Sequence, residues 1–84
     1  MNSIIVEHGV VVNTRNISCI KVMKKKINNL NMDFADEEKV EEFYQEKGRF
    51  YLIMVLNNGN QHNYFNKDFQ TEEYTTNIAQ MIME

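Results

Sequence analysis

The chain has no proline, no tryptophan, one cysteine and three glycines among 84 residues. Each shortage excludes something. With Cys19 alone no internal disulfide can form, and a lone thiol suits a reducing compartment, most simply the cytoplasm. A chain without proline does not read as a linker or a disordered tail. The glycines stand at 9, 48 and 59, too far apart for a phosphate-cradling loop. The longest apolar run, Phe50–Leu56, is far shorter than the ~20 residues of a membrane-spanning helix. No basic region precedes the short apolar run near Met1, so a secretory leader is not expected.

What is present reads as one globular domain over residues 1–84, with 43% hydrophobic and 25% charged residues. A chain of this size buries roughly 60–65% of its unfolded surface. Its aliphatic and aromatic side chains must therefore hold it together without covalent help, and homodimerisation is one way to bury more. Asparagine occupies twelve positions, a bias of AT-rich genomes more than a sign of chemistry. Small size with that bias fits a phage or mobile-element gene, and equally an ordinary bacterial one.

Periodicity predicts the element order β-β-β-α-β-β-α. Ile4–His8, β-branched at its start, reads as a strand, followed by a turn or bulge at Gly9 and a short second strand over Val10–Val12. A third strand is expected from Ile17 to about Ile27, with Ile20 and Val22 on one face and Ile17, Cys19 and Met23 on the other. Asp33 or Asp36 can cap a helix that ends at Lys47, with Gly48 as its left-handed stop. Val40, Phe43 and Tyr44 form the inward stripe of that helix.

Phe50–Leu56, apolar on both sides, reads as a central strand covered on both faces. Asn58-Gly59 predicts a two-residue hairpin turn with both residues at positive φ. That loop sets Ile53 opposite Tyr64, Val55 opposite His62 and Leu52 opposite Phe65. Thr71 can cap a last helix to about Met83, with Tyr74, Ile78, Met81 and Ile82 facing inward. The fold class is α+β: a small, mainly antiparallel sheet of four or five strands with the C-terminal helix on one face. The acidic helix lies between strands three and four, over the other face or an edge.

Chemistry-bearing motifs are scarce. Cys19 with His8 or His62 can make a thiolate–imidazole pair, but the spacing carries no signal, and a mid-strand cysteine reads as a small buried hydrophobe. Two histidines and scattered carboxylates supply neither a zinc ligand set nor a calcium loop. The chain is therefore read as a non-enzymatic protein with no cofactor or metal.

Charge is distributed far less evenly than composition suggests. Residues 1–32 carry a balance of +4, residues 33–46 a balance of −6, and the remainder −1. Glu38, Glu42 and Glu46 form an i, i+4 ridge on the predicted acidic helix, with Glu37 and Glu41 beside it. Like charges at that spacing weaken a lone helix, so the ridge serves either solubility or contact with a basic, nucleic-acid-binding surface of a partner protein. The second choice makes the protein a small inhibitor that mimics nucleic acid. Two alternatives remain in view. One is a homo-oligomeric structural or adaptor protein. The other is direct nucleic-acid binding through Lys21, Lys24, Lys25 and Lys26 with Tyr51 or Tyr64 as stacking surfaces, which the negative overall charge opposes.

Overall fold

The computed structural model describes residues 3–26 and 37–84. Strands β1 (Ser3–Ile5) and β2 (Val11–Asn13) form a two-stranded antiparallel hairpin. A second antiparallel sheet has the order β3-β4-β5, with β3 Ile17–Lys24, β4 Phe50–Leu56 and β5 Gln61–Phe65. Helix α1 (Glu37–Lys47) lies between β3 and β4 in the chain, and α2 (Glu72–Met83) closes it. The expected α+β class and element order are present, with the strands divided between two sheets. The proposed caps Asp33 and Asp36 lie outside the described residues.

The two hairpins exchange the turn chemistry expected of them. Paired positive φ angles occur at His8 (62°) and Gly9 (72°), whereas in the β4–β5 loop only Gly59 is left-handed (89°). The Leu56 amide donates to Asn60 O, and the Gly59 amide donates to Leu56 O, which closes a three-residue loop with a terminal bulge. Asn58 Oδ1 accepts from the Asn60 amide and steadies it.

That extra residue shifts the register by one. Leu52 lies opposite Tyr64, Met54 opposite His62, and Tyr51 opposite Phe65, in place of the pairs a two-residue loop would set. A one-residue slip matters because opposed residues share a face. At the other edge, an irregularity between Ile17 and Cys19 turns Ile17 toward the buried side, where it joins Leu56. Strict alternation from Ile20 had placed it on the opposite face.

The core lies on one side of the β3-β4-β5 sheet. Leu52 and Met54 are completely buried there, in one cluster with Ile4, Val6 and Val12 of the hairpin, Phe69, and Ala79 and Ile82 of α2. Ile20, Val22, Phe50, Leu56 and Tyr64 pack against that cluster. Helix α2 lies across β3 and β4, and the turn Glu7–Gly9 lies against β5.

Thr71 caps α2 through its side chain, which accepts from the Tyr74 amide. The buried stripe of α2 is Thr75, Ala79 and Ile82, with Ile78 at its margin, while Tyr74 and Met81 are exposed. The expected stripe is thus rotated. Small residues at 75 and 79 bring the helix close to the sheet, and the Thr75 hydroxyl is satisfied by Thr71 O at 2.8 Å.

Phe69 lies in the connector between β5 and α2, yet it is 1% exposed and its carbonyl accepts from the amides of both Arg49 and Phe50. Its ring meets Tyr64 edge-on at 5.7 Å. Gly48 ends α1 with φ of 90°, and a side chain there would run into the carbonyl of Asn66. The loop after β5 therefore packs directly beneath the junction of α1 and β4.

Candidate interaction surfaces

Helix α1 is attached by rings and cations more than by aliphatic packing. Val40, Phe43 and Tyr44 are half-buried, as its periodicity predicts. The Lys25 ammonium lies 5.7 Å from the centre of the Phe43 ring and 4.9 Å from that of Phe65. It also donates to Lys47 O at 2.7 Å. The Arg49 guanidinium lies over Tyr44 at 4.9 Å and pairs with Glu41. Gln70 Nε2 donates to Tyr44 O, again at 2.7 Å.

These contacts decide which carboxylates face outward. Glu38, Glu42 and Glu46 are exposed on the side of the helix away from the aromatic stripe. Glu41 is also exposed but is engaged by Arg49, so it helps to anchor the helix. Glu37 opens α1, and its side chain lies outside the described positions.

The four lysines do not act as one patch. Lys21, Lys24 and Lys26 are exposed, but Lys25 is half-buried between the two phenylalanine rings. Burial, and then the positive charge of Lys47, holds the Lys25 ammonium below its ordinary pKa. Lys25 is thus already engaged within the chain and is not open to phosphates as a stretch of four lysines would need. Tyr64 packs on the covered side against Phe69, whereas Tyr51 lies on the opposite face beside Phe65, with ring centres 5.4 Å apart.

That opposite face is the surface the sequence reading missed. Its three rows across the strands are Met23–Tyr51–Phe65, Lys21–Ile53–Asn63 and Cys19–Val55–Gln61. Met23 is 37% and Phe65 43% exposed, and Tyr51, Ile53 and Val55 are half-buried. None of these five belongs to the core cluster or packs against it. Among the described residues β4 is covered on one face only, and not on both as expected, because hairpin and α2 gather on the same side. Cys19 is likewise exposed and not a buried hydrophobe.

Cys19 and His62 are not brought together. Cys19 lies on the open face, whereas His62 pairs across from Met54 on the covered one. Among the described residues no three His, Cys, Asp or Glu side chains cluster closely enough to hold a metal ion. No described helix is long and apolar enough to cross a membrane. Comparison with family models, curated proteins and solved structures finds no match for this chain in any of the three.

Proposed function

We propose that the protein is a non-catalytic protein-binding module that docks the acidic side of α1 on a basic surface of a partner. The observation that supports this reading is the orientation of α1. Its aromatic side is fixed by Lys25, Arg49 and Gln70, and Glu38, Glu42 and Glu46 are turned outward at one-turn intervals. A row of carboxylates at one-turn spacing can follow a groove that binds phosphates, and the opposite charges speed encounter at low salt. A nucleic-acid-binding protein of the host, blocked by such a row, suits a small phage- or mobile-element-type inhibitor acting in the cytoplasm.

The test is the combined variant Glu38→Lys, Glu42→Lys and Glu46→Lys, titrated against the basic protein that co-purifies with the wild-type chain. Affinity should fall at least tenfold, and the wild-type affinity should weaken as salt is raised. Unchanged affinity for a variant whose circular dichroism is native removes this helix as the contact.

A further inference from the structure

The two helices are attached in different ways. Helix α2 puts Thr75, Ala79 and Ile82 into the buried interior. The inward side chains of α1, Val40, Phe43 and Tyr44, are only half-buried. The core cluster of the described residues takes its members from the hairpin and its flank, the three-stranded sheet, Phe69 and α2. The contacts that hold α1 are polar. The Lys25 ammonium lies against the rings of Phe43 and Phe65 and donates to Lys47 O. Arg49 covers Tyr44 and pairs with Glu41, and Gln70 donates to Tyr44 O. Tyr44 O and Lys47 O belong to the last turn of the helix, where helical amides run out and side chains from elsewhere can take the carbonyls.

Such contacts are weak one by one. A cation over a ring at a half-exposed site and an exposed ion pair each gain little against water, and each hydrogen bond replaces one that the same groups make with solvent. All three holding side chains stand outside the helix: Lys25 follows β3, Arg49 precedes β4 and Gln70 precedes the cap of α2. The backbone around them closes without α1. The Lys25 amide donates to Arg49 O, and the amides of Arg49 and Phe50 both donate to Phe69 O. Gly48, left-handed at φ 90°, is the one residue between that fixed point and the helix.

We propose that α1 is a hinged arm, latched to the sheet by Lys25, Arg49 and Gln70, which parts from the body at Gly48 while the hairpin, the sheet and α2 stay folded. Opening bares the rings of Phe43, Tyr44 and Phe65 and releases the Lys25 ammonium, a surface that the latched form conceals. The latch also sets the direction in which Glu38, Glu42 and Glu46 point. The arm opens without a partner, so this inference does not rest on the ridge being a contact surface.

Native-state amide exchange of the full chain, followed residue by residue by NMR, tests it. In the wild type the hydrogen-bonded amides of α1 should exchange through an opening at least about tenfold more frequent than that of α2 and β4, and with a smaller dependence on low denaturant. Lys25→Ala should raise the α1 opening by about a further tenfold and leave α2 and β4 as they were. Lys25→Arg, which keeps a cation over both rings, should restore the wild-type rate. Lys24→Ala removes the same charge from an exposed neighbour and should change nothing. A helix that merely frays would not respond to a residue on the sheet, so equal α1 rates in wild type and Lys25→Ala overturn the latch. Exchange of α1 and α2 through one common opening in the wild type overturns the arm. So does a Lys25→Ala chain that unfolds as a whole, because the body should stand without the latch.

Discussion

The two faces of β4 differ by one residue of sequence and by everything packed on them. Leu52 and Met54 are sealed beneath α2, the hairpin and Phe69, while Ile53 between them contributes to a surface outside the core cluster of the described residues. An apolar side chain in a strand is thus not evidence of burial; what decides is whether the chain has a second amphipathic element to spend on that face. Here it does not. Hairpin and α2 both go to one side, and α1 is held at the end of the sheet by Lys25, Arg49 and Gln70.

The comparison predicts an order of substitution effects, read by chemical denaturation. Phe69→Ala should be the most damaging, at about 3–5 kcal/mol, because a fully buried ring is lost where the hairpin cluster and α2 meet. A cost near that of a surface change would show that the covered side is looser than its burial implies. Leu52→Ala should cost about 2–5 kcal/mol. Its neighbour Ile53→Ala should cost only about 1 kcal/mol, from strand preference and partial burial. Equal losses at 52 and 53 would erase the distinction between the faces.

Removing the cap of α2 with Thr71→Ala should cost about 1 kcal/mol by freeing the Tyr74 amide. It should also speed amide exchange in the first turn of α2 while leaving β5 unchanged. The smallest effect concerns Lys25. Its folded pKa lies below the 10.5 of the free side chain, through burial first and Lys47 second. Between those two values the unfolded chain holds more protons, so stability rises slightly with pH in that window. Lys25→Met should flatten that rise relative to wild type; an unaltered pH profile would show that the ammonium is as well solvated as Lys24.

Much of this fold was legible in the sequence, for local reasons. Periodicity located α1 and α2, Gly48 marked the end of the first, and Thr71 the start of the second. The outward position of Glu38, Glu42 and Glu46 followed from Val40, Phe43 and Tyr44 facing in. What failed was set by tertiary geometry. Asn58-Gly59 permits more than one loop, and the three-residue form, with Gly59 alone left-handed, moved the register of β5. Ile17 left the face it was expected to share with Cys19 and Met23, because the irregularity between Ile17 and Cys19 has no distinctive residue to announce it. Helix α2 rolled toward Thr75 and Ala79 because close approach favours small side chains, which a search for large apolar residues passes over. The open face was invisible for a further reason. A run apolar on both sides looks the same whether its second layer belongs to this chain or to a partner.

Cys19 lies on that face and makes the most direct test possible without altering the chain. Its rate of reaction with a thiol-specific disulfide reagent should be within about tenfold of the rate in the denatured protein, since an exposed thiol is open to the reagent without unfolding. In a Cys19→Ser background, Met54→Cys reports the covered face and should react only on unfolding. Protection of native Cys19 as complete as that of the cysteine at 54 would contradict the one-sided sheet and everything drawn from it.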